Sequence, residues 1–114
     1  MNILRGDIFF VKALSTDGSE QKGDRPAIIV SNNTGNHFSG VVEVVYLTTS
    51  PKTKLPTHVE IDCKKMSIAL CEQIHSVSKN RIGEYIRTCR KEEMEKINEA
   101  LMISLALKKR GDEE

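Results

Sequence analysis

The hydrophobic period of this chain changes once, close to its C-terminal end, and that change limits the folds open to it. From Lys91 to Leu107 the apolar residues Met94, Ile97, Leu101 and Leu105 recur at three- and four-residue spacing, which puts one stripe on one face of a helix. Glu92 and Lys96 add an i,i+4 pair on its wet face, Lys108, Lys109 and Arg110 suit its C-terminal end, and Gly111 reads as its stop. Everything before it is short, β-prone and interrupted. Asp7 to Ala13, Pro26 to Ser31, Val41 to Thr49, Thr57 to Asp62, Ile68 to Val77 and Gly83 to Thr88 each read as strands. The run Ala27-Ile28-Ile29-Val30 has no polar alternation, as expected of a strand buried on both faces. Leu14 to Asp24, Asn32 to Gly40 and Ser50 to Pro56 are polar and punctuated by glycine or proline, and read as loops. Many short strands and one terminal helix predict a small, curled, mainly antiparallel sheet or barrel with a helix packed on it. The 114 residues suffice for a single domain spanning 1–114.

Charge narrows the ligand question. Seventeen Lys+Arg against sixteen Asp+Glu leave a formal charge of +1. A protein that coats nucleic acid without regard to sequence usually carries a clear basic excess, so any nucleic-acid contact here must be local. Cys63, Cys71 and Cys89 are odd in number, widely spaced and without a CxxC pair, which predicts three reduced thiols in or near the core. The N-terminal Met-Asn-Ile-Leu-Arg-Gly-Asp holds no apolar stretch of signal-peptide length, and no run reaches membrane-span length. A cytoplasmic location is expected.

Few residues carry chemistry on their face. His37, His58 and His75 stand singly, without HExxH or clustered carboxylates, so no metal site is expected, and no GxxxxGK[ST] loop is present. Imidazole is a common acid–base group in RNA cleavage, which makes His58 tempting, but at a strand start, in Leu55-Pro56-Thr57-His58-Val59, it reads better as a structural hydrogen-bonder. Arg25 stands between a polar loop and a buried strand, followed by Pro26. A rigid strand start would hold its guanidinium for paired hydrogen bonds to phosphate, although an ion pair with Asp24 or Glu20 is the plainer alternative. Thr48 and Thr49 end the next long strand and can offer hydroxyl and backbone N–H groups to an oxyanion.

Taken together, several stretches resemble the MazF/PemK toxin family. They are Arg5-Gly6-Asp7-Ile8, Gly18-Ser19-Glu20-Gln21-Lys22-Gly23-Asp24-Arg25-Pro26, Ile28-Ile29-Val30-Ser31-Asn32-Asn33, Leu55-Pro56-Thr57-His58-Val59, Leu70-Cys71-Glu72-Gln73-Ile74 and Lys79-Asn80-Arg81-Ile82-Gly83. Ala100 to Leu105 is also in character, so the resemblance covers almost the whole chain in the family's order. It implies an SH3-like β-barrel with a C-terminal helix, assembled as a homodimer. It also implies an endoribonuclease that cuts single-stranded RNA, often mRNA, within short motifs, using no metal and no cofactor. In that chemistry the RNA 2′-hydroxyl attacks the adjacent phosphorus, leaving a 2′,3′-cyclic phosphate and a 5′-hydroxyl. An acidic, MazE-like antitoxin is the implied inhibitor, its C-terminal segment lying across the RNA site.

Carried over residue by residue, the resemblance makes Arg25 and Thr48 the catalytic pair. Ser19, Glu20 and Gln21 match the loop bordering the RNA site, and Glu72, Gln73, Lys79 and Arg81 fall in segments lining the same groove. Thr49, Lys52 and Lys54 are expected to add RNA contacts beside Thr48. One departure stands out: between Val59 and Leu70 this chain is short where some relatives carry an insertion, which would change base preference if that loop touches RNA in those relatives. Two other readings share the fold. A gyrase-binding toxin of the CcdB type would need neither Arg25 nor Thr48, and a non-catalytic RNA-binding barrel would bind without cutting.

Overall fold

The computed structural model describes residues 2–14, 24–50 and 53–107. Six strands form one antiparallel sheet in the order β4-β5-β3-β2-β1-β6. They are β1 (Asp7–Val11), β2 (Arg25–Ile29), β3 (Val41–Thr48), β4 (His58–Cys63), β5 (Lys65–Ser78) and β6 (Ile82–Thr88). Helix α1 (Asn33–Phe38) lies between β2 and β3, and helix α2 (Lys91–Ser104) closes the described chain. This is the mainly β fold with a C-terminal helix that the sequence predicts.

The central strands alternate between two apolar clusters. Ile8, Ile28, Val45 and Leu47 join one, with Ile61, Ala69 and Cys71 and with Ile97 and Ala100 of α2. Phe9, Ala27, Ile29, Val44 and Tyr46 join the other, with Val77 and Ile82. Ala27, Ile28 and Ile29 are fully buried, which is why β2 reads as an unbroken apolar run. β5 serves both clusters: Ala69 and Cys71 face the first and Val77 the second. Its register against β3 shifts between Val45 and Leu47, the kind of irregularity that bends a strand.

Two expectations need correction. Asn32 to Gly40 is not all loop, because the Asn32 side chain accepts the Gly35 N–H at 2.7 Å and caps α1. The second helix stops at Ser104 rather than Leu107. Leu105 caps it and lies exposed, and Ala106 takes a left-handed φ of 59°, the conformation glycine usually supplies at a helix end. Lys108 to Gly111 lie outside the described residues. On the wet face Glu92 pairs with Arg90, Nε to Oε2 3.2 Å.

The start of α2 is tied down by charge. Glu93 is buried, and its carboxylate accepts Arg87 Nη1 at 3.0 Å and Nη2 at 2.8 Å, plus the Arg90 N–H at 2.7 Å. The Arg87 guanidinium, against the opposing effect of burial, holds the Glu93 carboxyl below its usual range. Arg87 also donates to the Asp62 carbonyl, so one side chain joins β6, β4 and α2. The three cysteines are buried and unpaired, as expected. Burial pushes the Cys71 thiol up to about 12 and Cys89 to about 11.

Candidate functional site

Arg25 opens β2 directly opposite Val11, with Pro26 opposite Phe10. Its guanidinium carbon sits 4.4 Å from the centre of the Tyr46 ring. Tyr46 comes from β3, which pairs with β2 through Ala27 and Tyr46. A cation over an aromatic face is attracted by the ring quadrupole, and this contact leaves the N–H edges of Arg25 unblocked by the ring. No other hydrogen bond or ion pair of Arg25 is seen among the described residues; Asp24, the plainer partner, is exposed.

Arg25 and Thr48 meet at one groove of about 340 Å³. Phe10, Pro26 and Leu47 give it apolar surface, Thr49 follows Thr48 on its wall, and Lys64 and Lys65 add two further cations to the lining. Cys63 and Ser67 complete the lining. Thr48 also borders a second hollow of about 310 Å³, shared with Ser50, His58, Glu72 and Gln73. Thr48 is therefore the ridge between two adjoining depressions. Its Oγ1 accepts the Ser50 N–H at 3.3 Å, which orients the hydroxyl at the strand end.

The second hollow is built on His58. The His58 side chain is 7% exposed, its Nδ1 accepts the Leu55 N–H at 3.3 Å, and its Nε2 lies 3.1 Å from Glu72 Oε2. An accepting Nδ1 puts the ring proton on Nε2, facing Glu72. Glu72 Oε1 also accepts Thr57 Oγ1 at 2.9 Å. Burial opposes charge on Glu72, but its own backbone N–H, Thr57 and His58 together hold its carboxyl below the usual range. His58 thus fastens the 55–57 turn to β5, the structural role its position suggests.

The remaining expected site residues are spread out. Lys54 borders a third depression of about 330 Å³ between β4 and α2, with His58, Lys96 and Glu99. Lys79 is at the other end of β3 from Thr48, beside the Val41–Ser78 pair, and donates through Nζ to the His37 carbonyl at 3.2 Å. Arg81 Nε donates to the Lys12 carbonyl at 2.9 Å. Both bind backbone where β5 turns into β6. Ser19, Glu20, Gln21 and Lys52 lie outside the described residues. Sequence reasoning passed over Phe10, Lys64 and Lys65. The one available signal was the short 59–70 segment, which leaves only Lys64 between the paired Cys63 and Lys65. Among the described residues no three His, Cys, Asp or Glu side chains gather in a way that could hold a metal ion, and no helix is long and apolar enough to cross a membrane.

Comparison with known proteins follows the same lines. The chain is 43% identical over 113 residues to "Endoribonuclease EndoA" of Bacillus subtilis (strain 168), covering 94% of this chain and 97% of that protein. A solved structure described as "Endoribonuclease in complex with its cognate antitoxin from Mycobacterial species" superposes with a TM-score of 0.77 at 29% identity, covering 94% of this chain and 98% of that one. MazE-MazF (Form-II) from Deinococcus radiodurans matches with a TM-score of 0.81, over 95% of this chain and 99% of that one; at 19% identity this likeness speaks to the fold. Residues 4–105 match the model of the family described as the PemK-like, MazF-like toxin of type II toxin–antitoxin systems, and the chain belongs to that family.

Proposed function

We propose that this toxin is an endoribonuclease that cuts single-stranded RNA, mRNA above all, within short sequence motifs, with Arg25 and Thr48 as its catalytic residues. The observation that carries the reading is that Arg25 of β2 and Thr48 of β3 line one groove. The nucleophile belongs to the substrate. As the 2′-oxygen bonds to phosphorus and the bond to the 5′-oxygen breaks, a proton leaves the first oxygen and one reaches the second. The protein has to align these atoms and neutralise the charge that builds on the non-bridging oxygens. A guanidinium is a poor proton donor or acceptor, so the part of Arg25 is electrostatic: held by Tyr46 on one face, it offers N–H groups from its edge. Thr48 adds a hydroxyl donor.

Thr49, Gln73 and Lys54 extend the contact surface from this pair, and Ser19, Glu20, Gln21 and Lys52 are assigned to RNA on the family pattern alone. Glu72 acts chiefly by fixing His58 and Thr57, and Lys79 and Arg81 by holding the β5–β6 turn. The toxin works as a homodimer in the cytoplasm, where its substrate is, and a short acidic antitoxin competes with RNA for the groove. A relative solved in complex with its cognate antitoxin supports an antitoxin as partner. None of these steps calls for a metal. Purified protein incubated with a long RNA in EDTA is expected to give discrete fragments with 2′,3′-cyclic phosphate and 5′-hydroxyl ends. Fragments with 5′-phosphates, or cleavage that stops in EDTA, would contradict the mechanism.

His58 is expected to matter more for stability than for cleavage. His58→Ala removes two partly buried hydrogen bonds, a cost of about 1–2 kcal/mol, and should lower the melting temperature while changing the cleavage rate only a few-fold. An unchanged melting temperature with cleavage abolished would instead give His58 a chemical role.

A further inference from the structure

We infer that the groove beside Arg25 receives a nucleobase of the RNA, stacked on the Phe10 ring, while Lys64 and Lys65 take the phosphates that flank it. The inference rests on the endoribonuclease reading and deepens it. Its starting point is the pairing of surfaces in the groove. Phe10, Pro26 and Leu47 supply apolar area, and three cationic side chains, Arg25, Lys64 and Lys65, share the same groove. A nucleotide has the complementary make-up, a flat apolar base joined to an anionic phosphate, and single-stranded nucleic acid is commonly held by aromatic platforms beside cations.

Lys64 occupies an unusual place. The β4–β5 hairpin pairs Cys63 with Lys65, so Lys64 alone makes the turn, and its φ is 66°. A side chain other than glycine takes that left-handed conformation at a cost, and such positions persist where the surroundings enforce them. Here the turn leaves Lys64 Nζ 5.5 Å from the centre of the Phe10 ring. An exposed ammonium over a phenyl ring is a weak contact, readily exchanged. When a base slides onto Phe10, the ring keeps a π partner and the ammonium is free to move to the adjoining phosphate. Because Thr48 and Arg25 border the same space, this base belongs to a nucleotide next to the bond that is cut.

The test uses an RNA covering the motif that the wild-type protein cuts, made uncleavable by 2′-O-methyl groups, with fluorescence anisotropy as the readout. Removing the base next to the cleavage position should weaken binding to wild type roughly fivefold or more. Phe10→Leu keeps the apolar volume but not the aromatic face. It should bind the intact RNA correspondingly less well and lose little more when the base is absent. Replacing both Lys64 and Lys65 by alanine should reduce the slope of log affinity against log salt by roughly 1.4, about 0.7 for each phosphate on a single strand. A base whose removal costs wild type and Phe10→Leu equally, or a salt slope that the double variant leaves unchanged, overturns the inference. Should Phe10→Leu not fold, a wild-type protein indifferent to removal of the base overturns it just as well. A wild-type protein that cuts no RNA at all fails at the earlier step, the endoribonuclease reading itself.

Discussion

Replacing Arg25 by alanine is expected to leave the fold intact and to slow cleavage about 10²–10³-fold, the usual effect of removing one donor from a transition-state oxyanion. The fold should survive because Arg25 is exposed, at the first position of β2, and among the described residues its side chain is held by the Tyr46 face. An exposed cation–aromatic pair contributes about 0.5–1 kcal/mol, so the melting temperature should fall by only a few degrees. Thr48→Ala should show a similar rate loss with equally little change in stability. Single-turnover cleavage of the mapped RNA, beside a thermal melt of each variant, separates the two effects. A folded Arg25→Ala protein that cuts within a few-fold of wild type would remove Arg25 from the catalytic pair, and the groove would need another source of positive charge at the phosphorus.

A large effect on stability is expected from Arg87→Ala. Removing one member of a fully buried ion pair costs roughly 3–5 kcal/mol, because the other is left charged and uncompensated. Here the Glu93 side chain is 7% exposed but Arg87 is 27% exposed, and Arg90 also reaches Glu93, Nη2 to Oε2 3.3 Å. Solvent and Arg90 screen part of the loss, so about 2 kcal/mol is expected. The pH dependence has a definite sign. The Glu93 carboxyl is held below its ordinary value in the folded protein, so its pair contributes stability above the unfolded carboxylate range. That stability is lost as pH falls through the folded value. Denaturant melts of wild type and Arg87→Ala should therefore differ most near neutral pH and converge in acid. A gap that stays constant as Glu93 protonates would show that Arg87 acts through its hydrogen bonds to the Asp62 carbonyl instead.

The pairing of Arg25 and Thr48 as a catalytic site came from the family resemblance and not from spacing. Their placing at strand ends was legible, because a proline-headed apolar run and a long β-branched run mark those ends locally. The strands and α2 were legible for the same reason: each depends on residues near one another in the chain. Phe10 and Lys64 were not, since what joins them is the arrival of the β4–β5 hairpin beside the end of β1, a tertiary relation that no local spacing encodes. Helix α1 was hidden by composition. Asn33-Thr34-Gly35-Asn36 reads as a loop by propensity, and the deciding contact, the Asn32 cap, overrides that preference. The early stop of α2 at Ser104 was hidden too, because the left-handed turn after it falls on Ala106, and alanine ordinarily favours continuing a helix. Glu72 and His58 lie where the family pattern directs attention, yet the side chains face each other, and only the geometry shows that their first obligation is mutual.

The length of β5 bears on how the molecule comes apart. One continuous fourteen-residue strand contributes walls to both apolar clusters, so neither can melt while the other keeps its packing. Local opening that detaches β5 exposes both interiors at once, which raises its free energy toward that of global unfolding. Amide protons along the middle of β3 and β5 should therefore exchange with solvent only through complete unfolding, and a single sigmoidal transition should describe the chain by any probe.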